Sequence, residues 1–319
     1  MFKILVNGLR IKVQDNQTLL SAVTQSGFTV PFSCRSGRCN ECLAKIKLPN
    51  SFSKTILSCE HLPSNGDVYE FADFEDFALP KIMKIPAKID RIESVALNYK
   101  IITFRIPPGK NISYLPGQYF DITVPKFGTR SYSVYSSKNI EQKLQILVQY
   151  VAGGELSNYW FNNACEDELV YLEGPIGSFF LRNNDTNVKV FCGTGSGIAP
   201  LRSMILSDRE RSVNCTALFW SVKALNEHFN IFRDVVTRPS CELHTHLTRE
   251  FYPGFTHGRI TPEIIKYLKS SLLKVDSSRA VDVYACGNGD FIDDLRSRIS
   301  ALESDQINLY IEKFTENNL

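Results

Sequence analysis

Phe2–Asn7 and Leu9–Val13 are two short runs in which apolar residues are interleaved with Lys3, Arg10 and Lys12. Near-alternation argues for strands, and the Asn7-Gly8 pair between them is a strong short-range hairpin signal. Leu19, Leu20, Ala22 and Val23 then recur at helical spacing, with Asn16 as the expected cap. The acidic, aromatic stretch Asp73-Phe74-Glu75-Asp76-Phe77, followed by Pro80 and Pro86, reads as a linker.

The middle of the chain changes texture. Ile101–Ile106, Tyr119–Val124, Ser131–Tyr135, Leu144–Tyr150 and Glu168–Glu173 are short apolar runs. Pro107-Pro108-Gly109, Pro116-Gly117, Gly153-Gly154 and Gly174-Pro175 separate them as turn signals. Short strands at this spacing predict an antiparallel barrel, interrupted by one helix at Leu156 to Asn162. Further on, Val188–Cys192, Cys215–Ser221, Leu243–Leu247 and Val281–Ala285 read as buried parallel strands. Helices are expected near 198–210, 225–237, 262–273 and 289–303. Alternating strands and helices predict an α/β doubly wound sheet. The expected division is 1–75, a linker over 76–84, a barrel over 85–184 and the α/β domain over 185–319.

Composition narrows the classes. With 319 residues, of which 43% are apolar, the chain can bury several cores and is not disordered. Its 36 basic and 34 acidic residues leave +2, which gives no electrostatic case for nucleic acid or an anionic membrane. No stretch reaches the roughly 18 apolar residues of a membrane span, and Met1–Val13 lacks the pattern of a secretory signal. A cytoplasmic location is expected. Thiols stay reduced there, so the nine cysteines imply metal ligation, catalysis or burial rather than disulfides.

Four of the nine are clustered. Cys34, Cys39 and Cys42 have the spacing C-x4-C-x2-C, and Cys59 follows after 16 further residues. This is the plant-type 2Fe-2S pattern, in which one tight loop supplies three thiolates and a distant residue the fourth. Ser36, Gly37 and Asn40 are small enough for such a loop. Two alternatives stand beside it: a zinc site, of which Cys39-x-x-Cys42 is half, and four buried free thiols. Cys165, Cys192, Cys215, Cys241 and Cys286 are scattered, and most are expected as small core residues. Over about the first 75 residues the chain resembles the plant-type ferredoxin domain, a β-grasp α+β fold. Its interval before the fourth cysteine is shorter than usual for that family.

Arg130-Ser131-Tyr132-Ser133 lies on one expected strand, where alternation puts Arg130 and Tyr132 on one face. A guanidinium can clamp a pyrophosphate, and a tyrosine ring can cover a flavin. Gly153-Gly154-Glu155-Leu156-Ser157 leads into a helix whose free N–H groups suit a phosphate. Ordinary strand and turn roles would also account for either element alone. In order, the two resemble the flavin domain of the ferredoxin–NADP reductase superfamily, where R-x-Y-S binds FAD. Pro116-Gly117-Gln118-Tyr119 and Glu173-Gly174-Pro175-Ile176-Gly177 match the same family. The resemblance implies an FAD site of Arg130, Ser131, Tyr132, Ser133, Gly154 and Ser157. Within it, Arg130 is implied on the pyrophosphate, Tyr132 on the ring and Ser133 near the reducible nitrogen. Many relatives carry a basic residue where this chain has Gln149 and Tyr150.

Cys192-Gly193-Thr194-Gly195-Ser196-Gly197-Ile198-Ala199-Pro200 joins a strand to a helix. It satisfies neither G-x-G-x-x-G nor the P-loop, and no acidic residue ends the following strand. It resembles the pyridine-nucleotide loop of the same superfamily, as does Tyr284-Ala285-Cys286-Gly287-Asn288-Gly289. That implies contacts from Gly193, Thr194, Gly195, Cys286 and Gly287 to NADH or NADPH. Cys286 would be a positioning residue beside the nicotinamide rather than a nucleophile. Ser133 and Cys286 are the catalytic candidates. Thr248-Arg249-Glu250 suits either a 2′-phosphate or a surface ion pair, and Tyr310 or Phe314 either covers the flavin or packs in the core. His244 and His246 read as structural.

The domain order implies a relay. NAD(P)H gives electrons in pairs, a 2Fe-2S cluster takes one at a time, and FAD can do both. No triad or substrate motif is evident, so another protein is expected to perform the final chemistry. Ile112–Asp121, Glu173–Leu181 and Tyr284–Gly287 resemble reductases of deoxysugar synthesis, of the CDP-6-deoxy-delta-3,4-glucoseen type, which implies a dehydrase partner. Reductases of aromatic-ring mono- or dioxygenases are the alternative. A non-catalytic redox sensor or zinc adaptor is a third, and it predicts no diaphorase activity. Residues 33–47 carry Arg35, Arg38, Lys45 and Lys47 against Glu41, a charge of 4 − 1 = +3 that suits an acidic partner.

Overall fold

The computed structural model describes residues 1–48, 53–137, 143–182, 188–208, 215–232, 241–273 and 279–314. The chain forms two compact units, one of Met1–Lys81 with Gly177–Phe179 and one of Ile82–Ile176 with Phe180–Leu319.

The first unit opens with the expected hairpin, β1 (Phe2–Val6) and β2 (Leu9–Val13). Asn7 and Gly8 both take positive φ, +47° and +82°, as a tight hairpin turn of the primed type requires. Ile4, Val6, Ile11 and Val13 face inward. Helix α1 (Leu19–Gln25) buries Leu19, Leu20, Ala22 and Val23, the face the sequence predicts. Its cap is Thr18, whose Oγ1 accepts the Ser21 N–H, and not Asn16. Asn16 instead takes a left-handed φ of +59°, which its short polar side chain tolerates. Three strands that alternation had not marked follow: β3 (Leu43–Lys47), β4 (Ser53–Leu57) and β5 (Val68–Glu70). The sheet order is β2-β1-β5-β3-β4, with β1 and β5 parallel at its centre. One helix on a mixed sheet is the β-grasp arrangement expected from the resemblance.

The second unit has two parts. The first is an antiparallel sheet of β6 (Met83–Ala96), β7 (Tyr99–Arg105), β8 (Tyr119–Val124), β9 (Gly128–Ser133), β10 (Leu144–Gln149) and β11 (Leu169–Ile176). Its order is β10-β7-β6-β11-β8-β9. A Val134–Ile146 bridge and a 2.8 Å bond from Tyr135 N–H to the Gln145 carbonyl join the two ends. The sheet thus closes into the expected barrel, and closure removes its free edges. The longest strand, β6, is not among the expected runs, and its first two residues fall in the linker expected over 76–84. Pro86 is exposed and in register with Tyr171, while Ile85, Ala87 and Ile89 alternate into the core. Helix α2 (Glu155–Asn162) places Trp160 and Tyr159 in that core.

The other part is a parallel sheet of β12 (Val188–Thr194), β13 (Cys215–Val222), β14 (Glu242–Leu247), β15 (Thr256–His257), β16 (Val281–Asn288) and β17 (Ile307–Phe314). Its order is β15-β14-β13-β12-β16-β17, flanked by α3 (Ile198–Asp208), α4 (Thr261–Leu272) and α5 (Gly289–Ser300). The strand order reverses between β12 and β16, the doubly wound topology. A helix over 225–237 does not form in its described part. Leu225–Glu227 is one 3₁₀ turn, and the chain then runs irregularly to Phe232. Tertiary bonds win there: the Glu227 carboxylate accepts from Asn98 Nδ2 at 3.1 Å and the Asn226 carbonyl accepts the Leu97 N–H.

Buried polar contacts lock barrel and parallel sheet together. Arg202 of α3, fully buried, donates to the Ile231 carbonyl (2.6 Å) and to the Tyr135 carbonyl at the end of the barrel (2.8 Å). Ser203 Oγ donates to the Ser136 carbonyl at 2.7 Å. Burying a guanidinium is costly unless its donors are met, so these bonds fix how the two parts sit.

Candidate functional site

The cysteine loop comes first. Arg35, Gly37 and Asn40 adopt positive φ of +54°, +72° and +58°, coiling the loop so that its N–H groups turn inward. Cys34 Sγ accepts the N–H groups of Ser36 (3.4 Å), Arg38 (3.4 Å) and Cys39 (3.3 Å). Cys59 Sγ accepts that of Gly37 at 3.3 Å. Cys39, Cys42 and Cys59 are buried and Cys34 is half-buried. Burial pushes the Cys34 thiol up, but the N–H donors of Ser36 and Cys39 outweigh it and bring it down to about 7. Burial pushes Cys39 up to about 11, and burial together with the neighbouring Cys42 pushes Cys59 up to about 12.

Buried thiols pushed up like Cys39 and Cys59 become thiolates only against positive charge, which is the demand a metal cluster meets. Among the described residues no three metal-ligating side chains close on a single point. Four cysteines shared two and two between two irons have no need to. The donor set therefore fits a 2Fe-2S cluster held by Cys34, Cys39, Cys42 and Cys59.

In the second unit, Arg130, Ser131, Tyr132 and Ser133 lie on β9 as expected. Arg130 Nη1 donates to the Thr129 carbonyl at 2.8 Å, and Ser131 Oγ donates to Asp121 at 2.6 Å. Tyr132 stands edge-on to Trp160, whose Nε1 donates to its hydroxyl at 2.9 Å. Gly154 caps α2, where a Cβ would lie 2.7 Å from Ser157 Oγ. Ser157 Oγ lies within reach of the Val151 and Gly154 carbonyls and the Val151 N–H. The serine thus builds the turn, while the first N–H groups of the helix are the ones open to a phosphate.

Ser133 has a partner that sequence reasoning missed. Its Oγ donates to Glu312 Oε2 at 3.0 Å, and the Cys286 thiol donates to the same oxygen at 3.8 Å. Strands β9, β16 and β17 thus meet at one buried carboxyl. Burial pushes Glu312 up to about 8, even though both donors favour its ionised form. Burial also pushes Cys286 well above the ordinary thiol range, followed by the adjacent Glu312 charge. Cys286 is therefore a neutral thiol near pH 7, in keeping with a positioning role. The available signal was an acid inside the apolar run Ile307–Phe314.

Beside this point a cavity of about 410 Å³ opens at the carboxyl ends of the parallel strands. It is lined by Thr194 and Gly195 from the glycine loop, by Ser221, Lys223, Thr248 and Arg249, and by Asn288 and Phe314. The barrel contributes Tyr99, Gln149 and Tyr150. Crevices at the reversal of strand order are where nucleotides bind in such sheets. The glycines are steric requirements: a Cβ on Gly197 would lie 2.2 Å from the Cys286 carbonyl oxygen, and one on Gly287 2.1 Å from Thr194 Oγ1. Gly193, Thr194, Gly195, Cys286 and Gly287 are thus brought together. Tyr99 Oη is buried here without a hydrogen-bond partner.

Among the remaining expectations, Arg249 lines the cavity and Phe314 stands at its edge, whereas Tyr310 stacks on Tyr284 at 4.9 Å. His244 and His246 both face Glu263, at 3.1 and 2.5 Å.

Residues 3–64 match the model of the 2Fe-2S iron-sulfur cluster binding domain, and residues 86–181 that of the oxidoreductase FAD-binding domain. The chain is 28% identical over 212 residues to the CDP-6-deoxy-L-threo-D-glycero-4-hexulose-3-dehydrase reductase of Yersinia pseudotuberculosis; the match spans 62% of this chain and 64% of that relative. It is 27% identical to the 2-halobenzoate 1,2-dioxygenase electron transfer component of Burkholderia cepacia, over 95% of this chain and 94% of the relative. Among solved structures, the Amycolatopsis cytochrome P450 reductase GcoB shares the fold with a TM-score of 0.76 at 21% identity, covering 99% of this chain and 100% of that one. No helix among the described residues is long and apolar enough to cross a membrane.

Proposed function

We propose that this chain, an oxidoreductase joining a 2Fe-2S cluster binding domain to a ferredoxin reductase-type FAD-binding domain, is the NAD(P)H-dependent reductase of a deoxysugar dehydrase. The observation that carries the reductase reading is the meeting of Ser133, at the end of the flavin-binding strand, with Cys286 and Glu312 of the nucleotide sheet. When bound, the flavin converts a hydride pair into single electrons and the cluster carries them one at a time.

The chain's own residues supply the rest. Arg130 and the first turn of α2 bind the flavin phosphates, and Tyr132 packs its ring. Ser133 Oγ and Glu312 hold a proton next to the reacting region, in a site shut off from water. The glycine loop and Cys286-Gly287 orient the nicotinamide, and Lys223 and Arg249 supply positive charge for the nucleotide. The four cysteines hold the cluster.

The dehydrase as partner is supported by the 28% identity to a reductase named for one. The test is reconstitution with a purified pyridoxamine-phosphate dehydrase and its CDP-sugar. NADH or NADPH oxidation coupled to sugar deoxygenation is the expected result, and uncoupled oxidation would sink the assignment. The second reading, a ring-oxygenase reductase, is favoured by the relative aligned over 95% of this chain. It requires coupling to an oxygenase instead. A redox sensor or zinc adaptor would show no NAD(P)H-dependent ferricyanide reduction.

A further inference from the structure

Tyr99 is the cavity residue whose chemistry the proposed reaction leaves unused. It opens β7 in the barrel and is fully buried. Its ring packs on Phe229 (5.7 Å), and Phe229 packs on Trp220 (5.2 Å). Trp220 Nε1 in turn donates to the Gly195 carbonyl at 3.0 Å. This stack holds the phenol under the glycine loop, where a Cβ on Gly195 would lie 3.3 Å from Tyr99 Oη.

Tyr99 is among the residues that line the cavity, and its buried hydroxyl has no hydrogen-bond partner. The polar groups around it form no hydrogen bond with it. Gln149 Oε1 accepts the Ser196 N–H at 3.4 Å, and the Glu227 carboxylate accepts from Asn98 Nδ2 (3.1 Å) and the Lys223 N–H (3.0 Å). Burial, and after it the Glu227 charge, keeps the phenol protonated and so a donor. A buried hydroxyl with an unmet donor is destabilising, and such groups are rare in folded chains. One that sits under a glycine loop at the start of a helix, where anions are favoured, marks a ligand contact.

We propose that Tyr99 donates a hydrogen bond to a phosphate oxygen of the bound pyridine nucleotide, so that the flavin barrel supplies part of the nucleotide affinity. This rests on the reading of the cavity as the NAD(P)H site. Tyr99 is a binding residue in this role and takes no part in the chemistry.

The test compares the flavin- and iron-loaded wild type with Tyr99→Phe, which keeps the ring stack. Binding of ADP-ribose, which carries the pyrophosphate and no reactive ring, is measured by titration calorimetry. The variant should bind about tenfold more weakly or worse, the worth of one bond to a charged oxygen. Its thermal midpoint without nucleotide should be equal to or above that of the wild type, because the removed hydroxyl satisfies nothing there. Inhibition by adenosine, which has no phosphate, should be the same for both.

Equal ADP-ribose affinity overturns the proposal. So does a variant destabilised without nucleotide, since the hydroxyl would then have an internal partner, and so does an equal loss for adenosine. A wild type that binds no ADP-ribose overturns the reading of the cavity itself, an outcome separate from the other three.

Discussion

The cysteine loop and the Ser133–Cys286–Glu312 cluster solve the same problem, placing reactive groups within a few ångströms, by opposite routes. The loop is built almost wholly from neighbours: Cys34 receives its three N–H bonds from residues two to five positions away. The carboxyl site is built from strangers, with 179 residues separating Ser133 from Glu312. The first depends on local backbone conformation and the second on the fixed packing of barrel against sheet. Local damage should therefore stay local at the loop, whereas the carboxyl site should report on the fold.

The largest effect expected is at the loop. Cys42→Ser should lose bound iron and cut NADH-driven cytochrome c reduction by at least about 100-fold, more than loss of an outer-shell group costs a metal site. Ferricyanide reduction at the flavin should survive. Parallel loss of both activities would break the contrast, because the loop would then be supporting the second unit.

Glu312 sharpens the other side. Its carboxyl ordinarily titrates near 4.5 and is pushed up to about 8 by burial. Below about pH 4.5 it is protonated in folded and unfolded chains alike and costs nothing. Between 4.5 and 8 only the unfolded chain releases the proton, so stability falls as pH rises, by up to about 5 kcal/mol at 1.36 kcal/mol per unit. Glu312→Gln should remove that slope. Urea unfolding at pH 5 and pH 8 measures it, and identical slopes in variant and wild type would show that the carboxyl is solvated.

A smaller effect is expected at the flavin. Arg130→Ala should weaken FAD retention about tenfold, the worth of a charge-assisted contact to phosphate, without changing iron content. Equilibrium dialysis of both cofactors tests this, and loss of iron alongside flavin would deny the independence of the two sites. The smallest effect concerns docking. Arg35, Arg38, Lys45 and Lys47 are exposed around the loop, and transfer to an acidic partner should slow about two- to threefold as salt rises from low to physiological strength. A flat salt profile counts against that partner chemistry.

Much of this molecule was legible in the chain. The hairpin at Asn7-Gly8, the C-x4-C-x2-C loop, R-x-Y-S and G-T-G-S-G-I-A-P each encode a local backbone need, and local needs are written in adjacent residues. The misreadings share a cause. The linker expected over 76–84 runs into β6, whose Pro86 sits at an exposed strand position with room for it. A helix is expected over 225–237, yet in its described part Glu227 and Asn226 spend their polar groups on Asn98 and Leu97. Asn16 looked like a cap, but Thr18 lies closer to the first turn and takes the bond.

The sequence by itself determined the parts: three folds in order, the four thiols, and the glycine-rich loops. Tertiary structure alone decided that Glu312 joins Ser133 and Cys286, and that a barrel tyrosine stands under the glycine loop. The reason is physical. Spacing along a chain records what the backbone must do within a turn or a strand. Which distant side chains share a buried space, and so which carboxyl stays protonated, depends on packing that only the closed barrel and the parallel sheet together define.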